Sequence, residues 1–98
     1  MEKILIVEDD IGISSFVNLE LQHEGYETEI ANDGRTALEI FSQHSYDLIL
    51  LDIMLPGLNG IEVLRRIRKV SDIPIILLTA KSDTMDKVQG LDGGADDL

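Results

Sequence analysis

Four short apolar runs, separated by segments with helical periodicity, most constrain the fold of this 98-residue chain. The runs are KILIV (3–7), ETEIA (27–31), DLILL (47–51) and IPIILLT (73–79). The first, third and fourth runs are almost continuously apolar, which is typical of parallel strands that are covered on both faces. The sequence therefore predicts a sheet that needs helices on both sides.

The segments between the runs carry apolar residues at helical spacing. After the first run, Ile13, Phe16, Val17 and Leu21 form such a stripe, and Gly25 marks its end. The later stripes are Ala37, Leu38 and Phe41; Ile61, Leu64 and Ile67; and Met85, Val88 and Leu91. The order βαβαβαβα with short connections predicts one α/β domain over residues 1–98, built on a doubly wound parallel sheet.

The composition excludes several classes of function. The chain has 8 lysine and arginine residues against 19 aspartate and glutamate residues, a net charge of −11. Such an acidic surface repels the phosphate backbone, so we expect no nucleic acid to bind this domain directly. The absence of cysteine excludes disulfides and thiol chemistry. Because no apolar run has the length of a signal peptide or membrane span, the expected location is the cytoplasm, with no membrane partner.

Acidic residues follow two of the apolar runs directly. Glu8 and Asp9 come after the first run, Asp52 comes after the third, and Thr79 closes the fourth. If the first and third strands are neighbours, their carboxyl ends bring the three acids together at one edge of the sheet. Converging carboxylates repel each other unless a cation lies among them, and such oxygen ligands suit Mg²⁺. The edge would accept a magnesium ion and a small anion such as a phosphoryl group, whereas Asp10 is better interpreted as a helix N-cap.

Four motifs together resemble the receiver domain of two-component response regulators, most closely the OmpR/PhoB type. They are ILIVEDD, DLILLDIMLPGLNG, PIILLTAKSD and GLDGGADD, and the resemblance covers essentially the whole chain. It implies a flavodoxin-like fold with strand order 2-1-3-4. The family's fifth strand, its lysine and its final helix would lie beyond Leu98. The resemblance thus indicates a receiver domain that is incomplete at its C-terminus and lacks the DNA-binding effector domain.

The resemblance also implies roles for individual residues. Asp52 matches the phosphoacceptor, which takes its phosphoryl group from a sensor histidine kinase and so controls a transcriptional output. The expected magnesium ligands are Asp9, Asp52, the backbone carbonyl of Met54 and, through water, Glu8. Thr79 matches the switch hydroxyl and Ala80 the amide beside it. A domain of this kind accepts and slowly loses a phosphoryl group without being a dedicated enzyme.

Two surfaces are candidates for a homodimer. The predicted helix over 83–91 matches the face through which OmpR/PhoB-type receivers dimerise. A chain that ended at Leu98 would also leave the fourth strand as an apolar sheet edge, which favours self-association. Two other expectations are that the 98-residue chain is unstable or that it is the ordered part of a longer polypeptide. We favour the longer polypeptide.

Two alternative functions remain open from the sequence. An aspartyl-phosphate hydrolase of the haloacid dehalogenase type also places its nucleophile after a strand. That class has D-x-D, but Met54 stands two residues beyond Asp52, which disfavours it. The other alternative is a receiver-like interaction module that is not regulated by phosphorylation.

Overall fold

The computed structural model describes residues 2–78, which form a four-stranded parallel sheet with three helices. The strands are β1 (Lys3–Val7), β2 (Glu27–Ala31), β3 (Leu48–Asp52) and β4 (Ile75–Leu78), and the helices are α1 (Ile11–His23), α2 (Gly34–Gln43) and α3 (Gly60–Arg68). The strands lie in the order β2-β1-β3-β4, and every pair is parallel. The predicted fold class and strand order are confirmed, and β1 and β3 are neighbours.

The third strand lies one residue later than the sequence predicted. Asp52 is the last residue of β3 and pairs in register with Leu78, so it belongs to the sheet instead of following it. Asp47, the predicted first residue, instead joins the base of β1. Its N–H donates to the carbonyl of Lys3 at 2.7 Å, and its Oδ2 accepts from the Lys3 N–H at 2.8 Å.

The fourth strand begins at Ile75 and not at Ile73. Pro74 has no N–H to donate to a neighbouring strand, although its carbonyl accepts from the N–H of Ile49 at 3.0 Å. Regular pairing therefore starts after the proline. Thr79, the predicted last residue, lies outside the described residues.

The main core fills the space between one face of the sheet and the pair α2 and α3. Alternate residues of the strands point to this face, as the pleat requires. The core residues are Leu5, Val7, Ala31, Ala37, Ile49, Leu51, Leu55, Val63, Leu64, Ile67, Ile75 and Leu77. The helical stripes predicted for α2 and α3 thus pack inward. On the other face, α1 packs against β1 and β2.

The inner face of α1 differs from the stripe predicted from its apolar residues. Phe16 is 64% exposed and Ile13 is also exposed, whereas Ser14 is buried. Val17 and Leu21 of the stripe are half-buried, and a polar contact joins the same side of the helix to β2, where the hydroxyl of Thr28 donates to Oδ1 of Asn18. Helical periodicity identified the helix, but the side that faces the sheet includes polar residues as well as apolar ones.

Each helix begins with a side chain that caps its first turn. Asp10, Asp33 and Asn59 are the N-caps, and each accepts from the backbone N–H three residues further along, at 2.8–3.0 Å. The interpretation of Asp10 as a cap is confirmed. Two residues separate β2 from α2 and three separate β1 from α1, whereas residues 53–59 connect β3 to α3. None of the helices in residues 2–78 combines the length and hydrophobicity needed to cross a bilayer.

Gly60 allows α3 to begin directly against the end of β3. A Cβ atom at this position would lie 2.2 Å from the carbonyl oxygen of Asp52 and 2.6 Å from Cα of Ile53. Both contacts are with backbone, which cannot rotate away as a flexible side chain could. The absence of a side chain at residue 60 is therefore a condition for the geometry around Asp52.

We expect Gly60→Ala to lower the free energy of unfolding by about 2 kcal/mol or more, because the added methyl group displaces the backbone of β3. Urea unfolding followed by far-ultraviolet circular dichroism measures this change. Gly12→Ala is the matched control: its Cβ would meet only the side chain of Asp10, at 3.3 Å, and alanine favours the helix. Equal stability of the two variants would contradict the close approach at Gly60.

Candidate functional site

Three carboxylates meet at the carboxyl ends of β1 and β3. One carboxylate oxygen of Glu8, one of Asp9 and one of Asp52 lie within 4.8 Å of one another. Glu8 is only 5% exposed and Asp52 only 8%, whereas Asp9 is exposed. The strands thus hold two acids in a fixed, largely dry position, and the third faces solvent.

Glu8 is held at three points. Its N–H donates to the carbonyl of Ala31 at 3.1 Å, and its carbonyl accepts from Nδ2 of Asn32 at 2.7 Å. Its Oε2 accepts from the N–H of Asp10 at 3.1 Å. Both the backbone and the carboxylate of Glu8 are therefore restrained.

The segment after Asp52 folds back onto its carboxylate. Oδ1 of Asp52 accepts from the N–H of Met54 at 3.0 Å, which restrains the side chain in one orientation. Ile53 is tied to both neighbouring elements, because its N–H donates to Leu78 at 3.1 Å and its carbonyl accepts from Gly60 at 3.0 Å. These bonds bring the backbone of Met54 to the rim of the site.

Burial and charge together raise the pKa of Glu8 from its ordinary value of 4.5 to about 7. Loss of hydration is the largest cause, and the N–H of Asp10 opposes it in part. The charge of Asp52 and its hydrogen bond with Glu8 raise the pKa of Glu8 further, and the charge of Asp9 adds a smaller increase. A divalent cation among these oxygens would remove the repulsion and lower the cost of ionising Glu8.

The carboxylates open into a cleft of about 420 Å³. Its lining combines acidic and apolar residues: Glu8, Asp9, Asp10, Ile13, Val17, Asp52, Met54 and Leu78. The cleft is large enough for a hydrated cation and a group of phosphoryl size.

The structure brings together Glu8, Asp9 and Asp52 as the sequence predicted, and Met54 lines the same cleft. Thr79 and Ala80 lie outside the described residues. Sequence reasoning missed Asn32, which binds the backbone of Glu8 from 24 positions away. Its place next to Asp33-Gly34 suggests only a turn, so no local signal could have revealed this contact.

Comparison with known protein families assigns the chain. The profile of the response regulator receiver domain matches residues 4–98. The chain belongs to this family. Receiver domains are phosphoacceptor signalling domains of two-component systems and not a dedicated catalytic family.

The curated relatives are full response regulators. The receiver domain is 57% identical over 97 residues to the response regulator ArlR of Staphylococcus saprophyticus, and 54% identical to ArlR of Staphylococcus aureus. Each alignment covers 99% of this chain but 44% of the relative. The chain thus spans less than half the length of the relatives that it matches.

Solved structures of receiver domains have the same fold. The response regulator TrrA from Thermotoga maritima, in complex with Mg²⁺-BeF, superposes with a TM-score of 0.90 at 43% identity, covering 99% of this chain and 84% of that one. The BeF₃-activated N-terminal receiver domain of Klebsiella pneumoniae RstA has a TM-score of 0.91 at 35% identity, with 97% and 81% covered.

We expect the contribution of Glu8 to the stability of the magnesium-free domain to fall as the pH rises from 4.5 to 7. The folded pKa of Glu8, about 7, exceeds the unfolded value of 4.5, so the folded state holds the proton more tightly. This contribution to stability is complete below pH 4.5 and is lost as the pH rises through 7. One such group changes the free energy of unfolding by at most about 1.4 kcal/mol per pH unit.

Chemical unfolding of the parent and of Glu8→Gln across this pH range measures the effect, because glutamine does not titrate. The variant should gain stability relative to the parent as the pH rises. Glu39→Gln, a change of the same charge at an exposed position of α2, serves as the control. A constant difference between parent and Glu8→Gln would contradict the raised pKa.

Proposed function

We propose that this receiver domain takes a phosphoryl group onto Asp52 with the help of Mg²⁺. The observation that carries the proposal is the convergence of Glu8, Asp9 and Asp52 at the ends of adjacent strands. The family supports it, because receiver domains are phosphoacceptors. A sensor histidine kinase is the proposed donor.

The acidic cluster fits a magnesium ion. Mg²⁺ takes one or two carboxylates, keeps several waters and suits a compact set of oxygen ligands. We assign Asp9, Asp52 and the carbonyl of Met54 as direct ligands, with Glu8 acting through water. The burial of Glu8 and its raised pKa support the need for a cation. When bound, Mg²⁺ would neutralise charge on the phosphoryl oxygens.

Asp52 is suited to act as the nucleophile. Its carboxylate lies at the end of a buried strand, in the cleft, and the Met54 N–H restrains its rotation. An oxygen of Asp52 attacks phosphorus, and the bond between phosphorus and the donor atom breaks, which yields an acyl phosphate. Thr79 and Ala80 are proposed to contact the bound phosphoryl group.

We propose that the wider role belongs to a longer protein. Since the chain covers 44% of its ArlR relatives, we propose that a DNA-binding effector domain follows and converts phosphorylation into transcriptional control in the cytoplasm. The helix proposed over 83–91, which lies outside the described residues, is one candidate dimer surface. The other is β4, which lies at the edge of the sheet within residues 2–78.

Incubation with acetyl phosphate and Mg²⁺ should add one phosphoryl group to the parent chain and none to Asp52→Asn. The amide of asparagine has the shape of the carboxylate but is not a comparable nucleophile. Intact mass spectrometry measures the adduct, and chelation of Mg²⁺ should suppress it.

Asp47→Asn is the matched control, because Asp47 lies just before the opposite end of β3. This variant should be phosphorylated to the same extent as the parent. An adduct that persists in Asp52→Asn would refute the assignment of the acceptor.

Asp9→Ala should weaken Mg²⁺ binding at least about tenfold without unfolding the domain, because outer-shell changes alone typically cost that much. Removing an exposed acid from a repelling cluster should not destabilise the magnesium-free fold. Isothermal titration calorimetry measures the affinity, and circular dichroism the fold. Asp72→Ala, at an exposed loop position, is the control. Parental affinity in Asp9→Ala would exclude Asp9 as a ligand.

A further inference from the structure

Asn32 lies where β2 leaves the sheet beside the acidic cluster. The register of β1 and β2 ends with Val7 opposite Ala31. Continued regular pairing would direct the N–H of Asp33 toward the carbonyl of Glu8. In the structure, Nδ2 of Asn32 donates to that carbonyl at 2.7 Å, and Asp33 instead caps α2. The side-chain amide of Asn32 thus replaces the backbone hydrogen bond that the next residue of β2 would have made to β1 if the strand had continued.

This bond fixes a peptide group that leads directly to a proposed metal ligand. The carbonyl of Glu8 belongs to the same peptide plane as the N–H of Asp9, so restraining one orients the other. On its other side, the N–H of Glu8 donates to Ala31 at 3.1 Å. The peptides before and after Glu8 are both held by the end of β2 and the residue that follows it.

We propose that Asn32 is a positioning residue for the acidic cluster. By holding the Glu8–Asp9 peptide, its amide places the exposed Asp9 carboxylate at the distance from Asp52 that a Mg²⁺ ion requires. Metal sites tolerate displacements of only about 0.5 Å before affinity suffers. The inference rests on the proposed function of this site and adds a residue that touches neither metal nor phosphoryl group.

The opposite end of β1 offers a matched control. There Oδ2 of Asp47 accepts from the N–H of Lys3 at 2.8 Å, which is also a bond from a side chain to the backbone of β1. Lys3 lies about 16 Å along the strand from Glu8, at roughly 3.3 Å per residue. Loss of either bond should cost similar stability, but only loss of the Asn32 bond should disturb the carboxylates.

The experiment compares Asn32→Ala, Asp47→Ala and the parent in the full 98-residue chain. Calorimetric titration with MgCl₂ should show affinity about two- to tenfold lower in Asn32→Ala, from the loss of one hydrogen bond. Asp47→Ala should keep the parental affinity. The rate of phosphorylation by acetyl phosphate should fall in Asn32→Ala at low Mg²⁺ and recover at saturating Mg²⁺, because Asn32 touches no reacting atom.

Asn32→Asp provides a second variant if the alanine variant does not fold. The aspartate side chain has the size of asparagine, but its carboxylate has no N–H and cannot donate to the carbonyl of Glu8. If the variant acted only through its added negative charge, it would bind Mg²⁺ more tightly. If the hydrogen bond from Asn32 positions Asp9, its loss weakens Mg²⁺ binding, and this is the result that we expect. Tighter binding would overturn the inference.

Parental affinity in Asn32→Ala, or an equal loss in Asp47→Ala, would also overturn the inference and leave the proposed site intact. If the parent itself binds no Mg²⁺ and forms no adduct, the proposed function fails and the inference fails with it. The parent measurement therefore separates the two failures.

Discussion

The parallel pairing of β1 with β3 is the constraint from which the site follows. Their register runs from Ile4 opposite Leu48 to Val7 opposite Leu51, so both strands reach the same edge of the sheet together. Acids placed at the two ends must then lie side by side. Few other arrangements would bring residues 8 and 52 so close with so little freedom to separate.

That proximity is unfavourable for the fold on its own. Burial of Glu8 and Asp52 removes hydration from two carboxyl groups, and their mutual repulsion adds to the cost. The apolar core beneath the sheet offsets it, and the N–H groups of Asp10 and Met54 donate to the two carboxylates. The domain therefore holds a cluster that a bound cation would stabilise.

The connections at this edge of the sheet are held by specific backbone and side-chain contacts. Gly60 lets α3 start against the carbonyl of Asp52, and Asn59 caps the helix at once. On the other side, Asn32 binds Glu8 while Asp33 begins α2. The residues at the starts of α2 and α3 thus also limit how far the site can relax.

Much of the fold and of the site could be predicted from the sequence. Apolar runs and helical spacing identified the strands and helices, since these patterns depend on residues close together in the chain. The motifs around Glu8, Asp9 and Asp52 then supported the strand order and the convergence of the acids. Asp10 as an N-cap was likewise a local property of its side chain.

Only the tertiary structure decided the features that depend on distant neighbours. The inner face of α1 includes Ser14, which is buried, and Asn18, which accepts from the hydroxyl of Thr28 in β2, whereas the more apolar Phe16 is exposed. The raised pKa of Glu8 depends on burial, which the whole fold creates. The bond from Asn32 to Glu8 joins residues 24 positions apart, so no local pattern could encode it. Sequence determines local conformation through short-range contacts, whereas the precise geometry of the acids is set by packing between segments that meet only in the folded domain.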